Sequence, residues 1–270
     1  MSPRSAPELE RVRVLANERV ARGVGLISLH APRCAGAVRP GQFVHLRLDA
    51  GSDLILRRPF SVHRTRGEHL EILYQVLGAG TLRLAEKEPG DESMDLVGPL
   101  GHGWDMPEGL SHALLVAGGL GAAPLGMLAM ELAERGVAVV VAQGAPNAER
   151  LVAHEHFTDL ARRVEVATDD GSAGTEGYVT AVTSRLLSEE KFDVVYCCGP
   201  EVMQRAVARQ AFDAQVPCQV SLERLMACGI GACLSCVVTT TAGLRRACID
   251  GPVFDAREVC WDGTEVPPRH

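Results

Sequence analysis

The stretch Ala113-Leu-Leu-Val-Ala-Gly-Gly-Leu-Gly-Ala-Ala-Pro-Leu-Gly-Met-Leu-Ala-Met130 carries no charged residue and is long enough to be weighed as a membrane helix. Gly118, Gly119, Gly121, Gly126 and Pro124 punctuate it, however, and punctuation of that kind belongs to a turn. The stretch therefore reads as a buried strand, a glycine-rich turn and the start of a helix. On that reading no membrane span is expected.

Working outward, residues 109–217 alternate between strand and helix. Ala113–Ala117, Val137–Gln143, Val164–Thr168 and Val194–Cys198 are apolar runs of the kind that form strands buried on both faces. Helical stretches near 122–135, 154–163, 177–188 and 201–213 lie between them, which predicts a doubly wound parallel sheet. Residues 1–108 show short β-rich runs instead, at Arg11–Leu15, Gly25–His30, Phe43–Leu48 and Leu70–Val76, broken by Pro-Gly and Gly-Ser. They predict an antiparallel β-barrel or sandwich. Residues 218–270 are too few for a large core of their own and are expected to be held together by a metal group. The fold class expected is thus multidomain α+β: an antiparallel barrel, a doubly wound α/β domain and a small C-terminal module.

Composition narrows the function classes. The 46% hydrophobic content suffices for packed cores, and with 4% aromatic residues those cores must rest on Val, Leu and Ala. A net charge of −7 without a basic run argues against nucleic acid as a partner. Nine cysteines, an odd number, and no secretory segment argue against a disulfide framework and for a reducing, cytoplasmic compartment.

Cys228, Cys233 and Cys236 follow the C-x4-C-x2-C spacing of plant-type ferredoxins, with Cys248 or Cys260 as a fourth thiolate. Gly229 and Gly231 let such a loop curl tightly. Zinc also accepts four thiolates, but its sites usually pair C-x2-C with C-x2-C. Cys34, Cys197, Cys198 and Cys218 lie in apolar or strand-like surroundings and read as buried thiols.

Other motifs suggest nucleotides. In Leu56-Arg-Arg-Pro-Phe-Ser61, Arg58, Phe60 and Ser61 offer a cation, an apolar face and a hydrogen-bonding group for a flavin, although an ordinary strand entry has the same look. Gly78 and Gly80 followed by Thr81 can open a helix toward a phosphate, or simply form a tight turn. Gly118, Gly119 and Gly121 occupy the first strand-to-helix turn of the α/β domain, where a dinucleotide diphosphate sits, though Gly121 can equally serve close helix packing. Asp169 and Cys198-Gly199-Pro200 follow the carboxyl ends of two further strands, and Gly199 leaves room for a nicotinamide to approach a flavin. The absence of an arginine beside Gln143-Gly-Ala-Pro-Asn147 leans toward NAD over NADP. His154 and His156 lie two apart and read as surface residues.

This order of motifs resembles the ferredoxin–NAD(P) reductase superfamily. The match sharpens at Ser221-Leu-Glu-Arg-Leu-Met-Ala-Cys-Gly-Ile-Gly-Ala-Cys-Leu-Ser-Cys236 and Cys248-Ile-Asp-Gly-Pro-Val-Phe254, which resemble the electron-transfer subunits of NAD-dependent, class 1B dihydroorotate dehydrogenase. The resemblance implies FAD in the barrel domain, NAD on the α/β domain and a 2Fe–2S cluster on Cys228, Cys233, Cys236 and Cys248. It assigns Arg58, Pro59, Phe60 and Ser61 to a first flavin contact, Leu73, Tyr74 and Gln75 to a second, and Gly80 and Thr81 to the diphosphate. Phe60 stands where the superfamily has tyrosine, and Gln75 where it often has a basic residue. No catalytic base is implied, because oxidation of dihydroorotate belongs to a separate FMN-bearing subunit, with two copies of each chain assembled. Electrons would then pass from that subunit through the cluster and FAD to NAD, in the route to UMP. A flavin and iron–sulfur subunit of a ferredoxin-linked transhydrogenase, a sulfide dehydrogenase or a soluble hydrogenase is the neighbouring possibility; some of these carry Asp where this chain has Cys228.

Overall fold

The computed structural model describes residues 6–49 and 54–261. The polar first residues and the Gly51-Ser52 break lie outside the described residues.

The N-terminal part is a seven-stranded antiparallel sheet. Its strands are β1 (Glu8–Ala21), β2 (Val24–His30), β3 (Phe43–Arg47), β4 (Arg58–Ser61), β5 (Arg64–Arg66), β6 (His69–Gln75) and β7 (Met94–Leu100), with short helices α1 (Pro32–Ala37) and α2 (Ala79–Ala85). In the sheet the order is β4-β3-β7-β1-β2-β6-β5. β4 and β5 stand at opposite ends of that order, yet only Val62 and His63 separate them in the chain. The sheet therefore curls until its edges meet, as a barrel does. Val44 and Leu46 of β3, Ile72 and Tyr74 of β6, and Met94 and Leu96 of β7 fill its interior. β1 is much longer than the expected run because it changes partner midway, pairing with β7 over Glu8–Val12 and with β2 from Arg13 onward.

The central part follows the expected alternation: β8 (His112–Gly118), a 3-10 turn over Gly119–Ala122, α3 (Ala123–Glu134), β9 (Ala138–Ala145), α4 (His154–Leu160), β10 (Arg163–Thr168), β11 (Thr175–Glu176), α5 (Val179–Glu189), β12 (Val194–Cys198) and α6 (Glu201–Asp213). Leu115, Val139 and Val141 pack with α3 and α4 on one face of the sheet, and Leu114, Val116 and Val140 with α5 and α6 on the other. Val, Leu and Ala dominate both layers, as the low aromatic content requires. No helix among the described residues is long and apolar enough to cross a membrane.

The expected boundary at 217/218 falls inside this sheet. β13 (Cys218–Ser221) is a further parallel strand beside β12, and the C-terminal module, after a hairpin of β14 (Val237–Thr240) and β15 (Gly243–Arg246), returns β16 (Val253–Asp255) antiparallel to β13. The module is also not held by a metal group alone. Cys236, Val238, Ala247, Cys248, Phe254 and Val259 are buried in one cluster with Val195, Val207 and Val220 of the sheet and with Phe43 and Leu100 of the barrel. Fully burying a Val, Leu or Phe side chain stabilises by roughly 1.5–3 kcal/mol, so the shared core gives the module its footing.

Barrel and α/β domain dock through histidines. His63, in the β4–β5 link, is 2% exposed, and its Nδ1 stands 3.1 Å from the Ala123 carbonyl oxygen at the start of α3. A methyl group on Gly126 would lie 2.3 Å from the His63 ring, so only glycine admits it there. The His156 ring meets His63 at a tilt of 60° with 5.2 Å between ring centroids and sets Nε2 3.1 Å from the Gly126 carbonyl oxygen, while His154 Nδ1 lies 3.0 Å from Gln143 Oε1. Neither residue of that pair is a free surface side chain: both are half-buried, His154 held by Gln143 of β9 and His156 by Gly126 of α3 and by His63.

Burial, and then the neighbouring His156, pushes the His63 pKa down from 6.5 to about 3. Between those values the unfolded chain takes up a proton that the folded chain refuses. The stabilisation is complete above pH 6.5 and is lost as pH falls toward 3. At pH 5 about 2 kcal/mol is gone. Urea unfolding at pH 7.5 and pH 5 should show that loss in the wild-type chain, and His63→Gln should shrink the difference between the two pH values; an equally pH-dependent variant would refute the assignment.

Candidate functional site

The central sheet runs β11-β10-β9-β8-β12-β13-β16, so its winding reverses between β8 and β12. Ligands of such sheets bind outside the carboxyl ends of the strands at that reversal. Gly118 and the Cys198-Gly199-Pro200 run meet there. A methyl group on Gly121 would fall 2.1 Å from the Cys198 carbonyl oxygen, and one on Gly199, whose φ is +154°, would fall 2.9 Å from the Gly118 Cα. Gly121 is thus spent on bringing the two turns into backbone contact, while Gly119, at φ +54°, faces open space. Gln204 Nε2 donates to the Gly199 carbonyl at 2.7 Å and steadies the second turn. Burial pushes the Cys198 thiol up to about 12, so it is present as a neutral thiol directed at the Ser221 carbonyl. Asp169 is exposed at the same sheet edge, after β10, with β9 intervening between it and the glycine turn. Its neighbour Asp170 closes the turn by accepting from the Ser172 amide at 3.0 Å.

In the barrel, Arg58, Pro59, Phe60 and Ser61 form β4 and are all half-buried. A methyl group on Gly80 would lie 2.8 Å from Arg58 Nε, so the start of α2 and the guanidinium are in direct contact. Thr81 Oγ1 accepts from the Leu77 and Gly78 amides at 2.8 and 3.2 Å and donates to the Gly78 carbonyl, which closes the turn ahead of α2. The second expected contact does not form one face. Tyr74 is 2% exposed in the barrel core with its hydroxyl donating to Asn17 Oδ1 at 2.9 Å, whereas Leu73 is packed in the α/β core. Successive strand residues point to opposite faces, so Tyr74 is directed away from the side shared by Leu73 and Gln75.

The cysteine loop leads from β13 to β14. Gly229, Gly231 and Leu234 all adopt positive φ, and a methyl group on Gly231 would press 2.8 Å from Ile249 Cδ1. Arg246 Nη1 donates to the Gly231 carbonyl at 3.2 Å and holds the loop to β15. Among the described residues no three Cys, His, Asp or Glu side chains gather round one point as a single ion requires. The four thiols neighbour one another, Cys228 with both Cys233 and Cys248, and Cys248 also with Cys236. The Cys233 amide donates to Cys228 Sγ at 3.4 Å, and Cys236 and Cys248 are buried side by side. Burial and then Cys236 push the Cys248 thiol up to about 12, while bonds from Ser235 and Cys228 lower Cys233, which is exposed, to about 6. Four neighbouring thiols in the C-x4-C-x2-C pattern fit the ligand set of a binuclear centre, in which four thiolates complete two irons. Cys260 does not join them; it lines a separate cavity with Cys218 and Trp261.

The cysteine loop rests on β3, the strand paired with β4. The ring of His45, 1% exposed, lies directly beneath Gly229. Sequence reasoning did not single out this residue. Its signal was a lone imidazole among apolar neighbours in Phe43-Val-His-Leu-Arg47.

Residues 223–260 match the iron–sulfur cluster binding domain of dihydroorotate dehydrogenase B, and residues 115–209 the oxidoreductase NAD-binding domain. The dihydroorotate dehydrogenase B (NAD(+)) electron transfer subunit of Desulforamulus reducens is 39% identical, over 93% of this chain and 97% of the relative. The subunit of the same description from Bacillus caldolyticus is 40% identical over 93% and 98%. Among solved structures, an NADH-dependent reduced ferredoxin-NADP oxidoreductase superposes with a TM-score of 0.85 at 33% identity, covering 97% of this chain and 92% of that one. A ferredoxin NADP+ reductase from Neisseria gonorrhoeae with bound FAD and NADP superposes at 0.64 over 76% of this chain and 91% of its own, at 17% identity, which is a likeness of fold alone. The chain belongs to the family of electron transfer subunits of NAD-dependent dihydroorotate dehydrogenase B.

Proposed function

We propose that this chain passes electrons between a dihydroorotate-oxidising partner and NAD, through a 2Fe–2S group on Cys228, Cys233, Cys236 and Cys248 and an FAD on β4. One observation supports it above the others: the elements that would carry the three groups adjoin. The cysteine loop packs on β3, β3 pairs with β4, and His63, two residues beyond β4, touches the start of α3 just after the glycine turn. When bound, the 2Fe–2S group carries single electrons, and FAD exchanges electrons singly with it and as a pair with NAD.

The chain's own residues position these groups. Arg58, beside Gly80 at the start of α2, supplies the cation for a flavin diphosphate, and Pro59, Phe60 and Ser61 present the strand to the ring. Leu73 and Gln75 border the same region. Gly118, Gly119 and Gly121 and the Cys198-Gly199-Pro200 turn form the seat for the nicotinamide nucleotide, with Asp169 at its far edge. No residue has to transfer a substrate proton, and the nearby Cys198 thiol is too weak an acid to act as a nucleophile at neutral pH.

The partner would dock over the cysteine loop. Cys233 is exposed there, and Leu225, Ile230 and Leu234 of the same segment are 89%, 56% and 60% exposed. Exposed apolar side chains around a redox centre suit a protein interface. The partner is proposed to be the FMN-bearing catalytic subunit, in an assembly of two copies of each chain in a reducing cytoplasm. The likeness to the ferredoxin-NADP oxidoreductase supports a second reading, an equivalent subunit fed by another electron donor.

Dihydroorotate-dependent NAD reduction, assayed anaerobically, should require both this chain and its FMN-barrel partner, and Cys233→Ser should abolish it. Activity of the partner alone, or of the Ser variant, would contradict the relay. Gly121→Val should cost at least about a hundredfold in NADH-to-dye turnover with FAD retained, because the side chain would meet the Cys198 backbone. Leu225→Ser with Leu234→Ser should weaken co-purification with the partner while leaving the dye reaction intact; an unweakened complex would move the interface elsewhere.

A further inference from the structure

His45 touches the cysteine loop from beneath and sits in the strand paired with β4. In β3, Val44 and Leu46 turn into the barrel, and Phe43 and His45 turn the other way, toward the C-terminal module. His45 pairs with Pro59, between Arg58 and Phe60 of β4. Its ring is 1% exposed, and among the described residues neither Nδ1 nor Nε2 has a hydrogen-bond partner. Burying an imidazole in that way costs free energy with no return, and buried polar groups are normally satisfied.

The surroundings show what can satisfy it. A methyl group on Gly229 would lie 2.6 Å from Nδ1, so the loop backbone rests on the ring. The Cys228 backbone carbonyl offers the ring an acceptor. Arg57 Nη1 donates to the carbonyl oxygens of His45 and Asp95 at 3.4 and 3.3 Å, and is ion-paired to Asp95 at 2.5 Å, so it occupies the strand backbone rather than the ring. The imidazole is left facing the loop.

We propose that His45 is a positioning residue of the electron path: its buried imidazole donates a hydrogen bond to the cysteine loop at Cys228 and thereby sets the reduction potential of the 2Fe–2S group held there. The proposal rests on the iron–sulfur reading above and adds to it a residue that is not a ligand. A hydrogen bond donated to the Cys228 carbonyl draws electron density from the peptide that carries a ligand thiolate and favours the more negative, reduced form, so its removal lowers the potential. Because the same residue is paired to β4, it also fixes the loop relative to the flavin strand.

The test uses the full chain loaded with FAD and its cluster. EPR-monitored titration of His45→Leu should show a lower midpoint potential, shifting electron sharing about tenfold toward the flavin, which is about 59 mV for one electron. His45→Gln, which keeps an N–H at similar reach, should recover part of the shift. Since the Leu variant can fail to load, wild-type protein labelled with 15N-histidine provides a second readout. Pulsed EPR of its reduced cluster should show a weak histidine nitrogen coupling that disappears in His45→Gln. An unmoved potential in the Leu variant, equal shifts in both variants, or no nitrogen coupling in the wild type would overturn the proposal and leave the cluster standing. A wild-type chain without a 2Fe–2S signal would overturn the iron–sulfur reading, and this proposal with it.

Discussion

Close backbone approach at a few glycines holds the working parts of this chain together. Gly121 lets the first turn of the α/β sheet lie on Cys198 and Gly199, Gly126 lets α3 receive His63, and Gly229 lets the cysteine loop lie on His45. In each case a single methyl group would sit 2.6 Å or less from its neighbour, well inside van der Waals contact. Electron transfer depends steeply on separation, so these contacts matter for function as well as for packing. They bring together sites that are far apart in the sequence.

The C-terminal module gains its stability from the same economy of space. It has no independent core: Cys236, Val238 and Cys248 are buried with Val220 of the sheet and Phe43 of the barrel. Its last strand, β16, completes the edge of the central sheet, and the His102 amide donates to the Gly251 carbonyl at 2.5 Å where barrel and module meet. A metal group held by the thiols would add free energy to a fold already seated on two neighbours, unlike a small module that folds only with its metal. The cysteine loop can therefore stay open to solvent at Cys233 while Cys236 and Cys248 are fixed beneath it.

Much of this was legible in the residues. The uncharged run from Ala113 resolved correctly into strand, turn and helix because glycine and proline punctuate it, and the alternation up to Cys198 follows from apolar runs with no polar face. What stayed hidden has a common cause, in surfaces that are buried on both sides. β6 is covered by the barrel core on one face and the α/β domain on the other, so its alternation is blurred and Tyr74 could not be assigned inward. His154 and His156 looked solvent-facing because their helix is short and polar, although their partners lie on β9 and α3. The strand at Cys218–Ser221 is only four residues long, too short to separate from the loop that follows it. His45 carried no spacing signal at all, since its partner segment is nearly two hundred residues away.

The most direct test of the account is anaerobic reduction of the isolated, loaded chain by NADH, followed by optical absorbance and EPR on the same sample. The flavin should bleach and a 2Fe–2S signal approaching one spin per chain should appear when NADH is in excess, since the elements proposed to hold the groups adjoin within one chain. Full flavin reduction with the iron left EPR-silent and oxidised would contradict the relay at its centre.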